Sequence, residues 1–279
     1  MNSAVIHTGP PTEPEAMHGL PTGKLDVAAE VTPLVDYLLR LGDDSLILGQ
    51  RLTEWCGHAP ALEVDLSIAN IGLDLIGQAQ LFLQAAGQIE GKGRDSDALA
   101  VRRDVLAFRN CLMVEQPNGD FARTMARQFL YSSFQLPFLH ALGTSREPRI
   151  AEVACKAVKE VTYHAELSAD WVIRLGDGTE ESRQRMIDGL DWHWRFVDEL
   201  FQTDAIEQEL LREGIAVDRA MLRPSFDATV ARVLTEATIP LPEYPRAVIG
   251  GRVGHHSEHL GHLLAVMQYL PRAYPDAVW

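Results

Sequence analysis

The chain has 279 residues, 46% of them hydrophobic, and a formal net charge of -14 at pH 7. That length can bury a substantial core, and the acidity excludes nucleic acid as a partner, because a phosphate backbone demands a basic footprint. The charge suits a soluble cytoplasmic protein. Cys56, Cys111 and Cys155 are far apart and form no C-x-x-C pair, which points to a reducing compartment without a zinc knuckle or a disulfide framework.

Residues 1–30, with Pro10, Pro11, Pro14 and Pro21 among Ser, Thr, Gly and Glu, read as a disordered extension without the apolar core of a signal peptide. No later stretch reaches the roughly 18 uninterrupted apolar residues of a membrane span. From Pro33 the pattern turns helical: Leu34, Leu38, Leu41, Ser45, Leu48, Leu52 and Trp55 recur at helical spacing until Gly57 and Pro60 stop the run, so that Cys56-Gly57-His58 reads as a helix end. The next run, 61–88, is apolar nearly all round and predicts a helix buried on most faces. Its polar exceptions Glu63, Ser67, Asn70, Asp74 and Gln78 fall on one stripe.

A shorter helix is expected over 97–113, then a turn over 115–120 with Asp120 as N-cap of a long helix reaching Gly143. Helices follow over 147–175 and 180–201, and shorter ones over 204–213, 219–237 and 255–270. The Pro- and Gly-rich connection 240–254 is long for an idle loop and reads as a contact surface. With no strand-like alternation and no solenoid repeat, residues 31–279 read as one all-α domain, a four-helix core with additional helices.

Asp44, Asp74, Glu160 and His164 are separated much as in ferritin-like bundles, which hold two irons with carboxylates from several helices and a Glu-x-x-His pair on two of them. The ligand pattern is nevertheless incomplete. From Phe121 to Arg146 there is no Asp or Glu; Gly77 stands three after Asp74, where a His is expected, and Val161 stands three before His164, where a Glu is expected. Glu160 belongs to the column Glu152, Lys156, Glu160, His164, which reads as a charge ladder on a helix surface. Shifting the register of the acid-free helix reaches Arg123, Arg127 or Gln128, and an arginine facing the site would repel iron while pairing Asp44 or Asp74. The expectation is a chain with no catalytic residue and no metal, in which Asp44, Asp74 and His164 are degenerate diiron positions in a buried polar network. The alternative is a diiron monooxygenase with unusual ligands.

His255, Glu258 and His259 match the H-x-x-E-H pattern of inverted zinc peptidases, but a third ligand and the usual fold are missing, so a structural or interface role is the expectation. Trp192 and Trp194 point to different helix faces, which predicts core packing plus one partner-facing ring. No phosphate-binding glycine loop and no G-x-S-x-G elbow occurs, which leaves nucleotide-dependent and acyl-transfer chemistry without support.

Several blocks in order, Leu41-Gly42-Asp43-Asp44, Glu54-Trp55-Cys56-Gly57-His58-Ala59-Pro60, Asn70-Ile71-Gly72-Leu73-Asp74-Leu75, Val114-Glu115-Gln116-Pro117-Asn118-Gly119, Glu213-Gly214-Ile215-Ala216-Val217 and Ser257-Glu258-His259-Leu260-Gly261, resemble the C-subunit family of the ring-1,2-phenylacetyl-CoA epoxidases. The resemblance runs from about Leu34 to Trp279 and leaves out the N-terminal extension. It implies a ferritin-like fold and a structural role beside a homologous catalytic A subunit that carries the diiron centre. It also implies further B and reductase components, with NADPH feeding the reductase. The implied reaction of the complex inserts one oxygen atom of O2 into the ring of phenylacetyl-CoA during aerobic phenylacetate degradation.

Overall fold

A computed structural model of the chain describes residues 31–243, 246–275 and 277; the extension expected over 1–30 lies outside them. The first helix, α1 (Pro33–Thr53), starts where the Thr32 hydroxyl accepts the Val35 amide and Pro33 occupies a position that needs no N–H. It is buried along nearly its whole length, polar residues included. Its partner α2 (Leu62–Glu90) runs antiparallel to it and ends on Gly91 in the left-handed conformation. The two backbones approach closely because a Cβ on Gly49 would stand 3.1 Å from the Gly72 carbonyl oxygen, and one on Gly42 would stand 2.8 Å from the Leu83 side chain.

The α2 helix is less buried than its composition implies. Leu62, Leu66 and Leu73 are exposed. α2 is long and apolar enough to cross a membrane by length and composition, with a mean hydropathy of 1.3 over its most apolar 18 residues, of which 44% are buried. The helix packs mainly on α1, with lesser contact to two later helices, and among the described residues this leaves Leu62, Leu66 and Leu73 uncovered.

The single helix expected over 97–113 is replaced by α3 (Ser96–Val101), a 3-10 turn at Val105–Ala107 and α4 (Leu112–Glu115). The break has an electrostatic reason: Asp43 is fully buried on α1, and the chain leaves its helical path so that the Arg103 guanidinium and the Arg109 amide both reach that carboxylate. The acid-free helix is α5 (Phe121–Leu142), capped by Asp120, whose side chain accepts the Arg123 amide at 2.9 Å. It packs along α6 (Pro148–Gly176), and α7 (Glu180–Trp194) covers both. The helix expected over 180–201 stops at Arg195, whose carbonyl oxygen accepts from Val248, and resumes as α8 (Val197–Leu200).

The chain finishes with α9 (Ala205–Arg212), α10 (Arg223–Glu236), α11 (Glu258–Met267) and α12 (Tyr269–Ala273). Both tryptophans of the 192–194 pair are half-buried: Arg123 stacks on Trp192, and Trp194 meets Phe226. The architecture is all-helical, with no strand among the described residues: a ferritin-like bundle of α1, α2, α5 and α6 with additional helices.

Candidate functional site: two polar clusters

The positions singled out in the sequence fall into two clusters. In the first, His164 of α6 is fully buried and its Nε2 lies 3.0 Å from Asp74 Oδ2 of α2. Burial pushes the imidazole below its ordinary pKa, against the opposing pull of Asp74. A neutral ring then donates from Nε2 to the carboxylate, and Nδ1 is left buried without a partner. One turn along, Gln78 Nε2 donates to Glu160 Oε2 at 2.9 Å, and Gln135 of α5 donates to Gln78 Oε1 at 3.4 Å. This arrangement replaces the expected ladder on α6: Lys156 pairs with neither Glu152 nor Glu160, because Glu160 and His164 turn toward α2 instead.

Asp44 is not part of this group. Its Oδ2 takes the Arg252 guanidinium at 2.6 Å, and its Oδ1 takes the Cys111 amide at 2.7 Å. The arginine that pairs it therefore comes from the connection before α11 and not from α5. Arg127 of α5 is fully buried but donates to the Gln116 carbonyl and to Asn118 Oδ1, with burial, then the Arg51 charge, pushing its pKa down to about 9.

Asp44 belongs to the second cluster, a belt of carboxylates around α1. Asp36 accepts from Arg40 at 2.6 Å and Arg109 at 3.3 Å, and Asp43 accepts from Arg103 at 2.9 Å. Glu115, buried at the end of α4, accepts from the Asn110 side chain at 2.9 Å, the Ser257 amide at 2.6 Å and His256 Nδ1 at 2.7 Å. The other nitrogen of His256 faces the Phe108 carbonyl at 3.1 Å. Both partners of that ring only accept, so the ring carries two protons and a charge. Burial lowers its pKa, but Glu115, the Phe108 carbonyl and Asp43 outweigh burial and hold it above the ordinary value.

Glu199 of α8 completes the belt. Its carboxylate accepts the Leu112 amide at 2.6 Å and the Gly250 and Gly251 amides at 2.9 and 2.8 Å. Gly251 has to be glycine here, since a Cβ would fall 2.1 Å from the Asn110 carbonyl oxygen. The 248–257 strap is thus tied to α1, α4 and α8 by Asp44, Glu115 and Glu199.

Two irons in a four-helix bundle need several anionic oxygens aimed at one volume. The residues present do not fit that requirement. The first cluster offers one free imidazole nitrogen, two glutamine amides and two carboxylates already bonded to protein groups, while α5 adds Gln128 and Ser132, which bond to each other at 2.8 Å. Among the described residues, no three His, Cys, Asp or Glu side chains form a metal-like group. A side chain at Gly77 would meet nothing within 4 Å, so that position faces outward and not toward His164. His255 and Glu258 are exposed, and His259 contributes its carbonyl oxygen to Arg51. The histidine that matters in that stretch is the intervening His256.

A family model described as "Phenylacetic acid catabolic protein" matches residues 22–279. The chain belongs to this family. A relative in Escherichia coli K12, the C subunit of its 1,2-phenylacetyl-CoA epoxidase, is 49% identical over 246 residues, which covers 88% of this chain and 99% of that one.

In this member of the family, reasoning from sequence missed Arg103, Glu115, Glu199, Arg252 and His256 as the residues that organise the interior. Two signals pointed to them. Asp36, Asp43 and Asp44 interrupt the leucine-rich run of α1 and require cations, and Lys24, Lys92, Lys156 and Lys159 are the only lysines, so nearly every cation is an arginine. Arginine is the residue suited to buried, bidentate carboxylate pairing.

Proposed function

We propose that this chain is the non-catalytic structural subunit of a phenylacetyl-CoA 1,2-epoxidase in aerobic phenylacetate catabolism, working in the cytoplasm. In this reading it pairs with the catalytic A subunit that holds the diiron centre. B and reductase components complete the assembly, with NADPH supplying electrons through the reductase, and the complex binds phenylacetyl-CoA. This chain holds no metal and no cofactor, and Asp44, Asp74 and His164 are what remains of a diiron site. The observation that carries the reading is the 49% identity to the C subunit of an epoxidase over nearly the whole of that protein. It is supported by the carboxylates of α1, which are taken up by arginines and backbone amides.

The test is metal analysis of the chain purified alone, together with coexpression beside the A subunit. Substoichiometric iron and a stable complex that turns over phenylacetyl-CoA are expected. About two irons per chain, the load of a diiron bundle, overturns the reading, and so does failure to associate. The unpartnered Nδ1 of His164 is the one observation favouring a diiron monooxygenase with unusual ligands; that reading requires turnover with a reductase and no A subunit.

A further inference from the structure

The outward side of α2 carries an apolar row. Leu62, Leu66 and Leu73 are 71%, 57% and 65% exposed, and Leu81 beyond them is 36% exposed. Their spacing keeps them on one side of the helix. Gly77 lies between Leu73 and Leu81, and a Cβ there would meet nothing within 4 Å. The row therefore has a notch where a second backbone can come close. Single exposed leucines need no explanation, but a row of them along one helix does.

The charges beside the row decide what covers it. α2 itself carries Glu63, Asp65 and Asp74 over the length of the row and has no Lys or Arg, while its fourth acid, Glu90, is paired with Lys92 and Arg94. A second copy docking by the same face would bring these carboxylates against themselves, and an anionic lipid surface would be repelled as well.

We propose that the outer face of α2 docks a different protein, through a helix that seats an apolar ridge on Leu62, Leu66 and Leu73 and enters the notch at Gly77, with Lys or Arg along its flanks. The proposal rests on the reading of this chain as a subunit, and it names the face that the catalytic subunit grips. Hydrophobic contact supplies the affinity, while the acidic rim steers the encounter and rejects like-charged surfaces.

The experiment measures binding of the full-length chain to the A subunit for wild type, Leu73→Asp, Gly77→Gln and Glu63→Lys. Gly77→Gln replaces a helix-interior glycine in open space, so its thermal midpoint matches or exceeds that of wild type. Its affinity nevertheless falls at least about tenfold, as expected for a residue near the centre of an interface. Leu73→Asp falls further, and Glu63→Lys slows association at low salt. Wild-type affinity in folded Gly77→Gln and Leu73→Asp overturns this proposal and leaves the subunit reading standing. No binding by the wild-type chain overturns both. Two other outcomes also overturn the proposal: the substitutions instead dissolving a dimer of this chain, or abolishing its binding to phosphatidylcholine–phosphatidylserine vesicles.

Discussion

Asp44 and Asp74 lie on neighbouring helices of one bundle, yet their surroundings differ in kind. Asp44 is 5% exposed and held by a guanidinium and a backbone amide, one member of a belt in which Arg252, Arg103, Arg109 and a charged His256 neutralise α1 and α4. Asp74 keeps 35% of its side chain exposed and faces an imidazole that burial holds neutral. Two ways of holding a carboxylate inside a bundle stand side by side: one is saturation by fixed cations, and the other is a single hydrogen bond to a neutral ring beside solvent. The first way ties distant parts of the chain together. The second leaves a local hydrogen bond that solvent can partly replace.

The largest expected effect is on the saturated side. Arg252→Met leaves Asp44 buried with a single amide donor, and urea unfolding should lose about 3–5 kcal/mol, the cost of orphaning one member of a buried pair. The double substitution Asp44→Leu with Arg252→Met should recover most of that loss. A single variant costing under about 1 kcal/mol, the range of an exposed pair, would erase the distinction between the two carboxylates.

Next is His256→Gln, expected to cost about 1.5–3 kcal/mol at pH 6, since two hydrogen bonds from a charged ring are lost. The pH dependence follows from the raised folded pKa. The contribution of His256 is complete below the unfolded value of about 6.5 and fades as pH rises through the folded one. The penalty of His256→Gln should therefore shrink in alkaline buffer.

His164 should behave in the opposite sense. Its folded pKa is lowered by burial despite Asp74, so its contribution is present above about pH 6.5 and is lost as pH falls toward the folded value. Histidine ring proton shifts, assigned with His164→Gln and His256→Gln, should show His164 neutral below pH 6.5 and His256 charged above it; a common midpoint would defeat the contrast. The smallest effect belongs to Asp74→Asn, at under about 1 kcal/mol, because the amide can still bond His164 and a third of the side chain already faces water.

Much of the fold was legible in the sequence because local rules govern it. Thr32 and Pro33 start α1, the apolar period of three and four runs along it, and Asp120 caps α5. Errors came where distant charges intervened. Residues 97–113 are broken because Arg103 turns to Asp43, and α7 ends because Arg195 gives its carbonyl to Val248. The candidate site was legible in part: the spacing picked out Asp74 and His164, which do meet, but it grouped Asp44 with them although Arg252 holds it. A pair separated by hundreds of residues leaves no periodic trace.

By itself, then, the sequence determined the long helices of the bundle, their order and the lack of a carboxylate on α5, because capping, periodicity and composition act over a few residues. Only the tertiary structure decided which charge neutralises which, that His256 and not His255 is engaged, and that the apolar α2 keeps a leucine row outside. Those outcomes depend on how helices are rotated against one another and on which buried carboxylate reaches a donor first in space, and side-chain chemistry alone does not specify either.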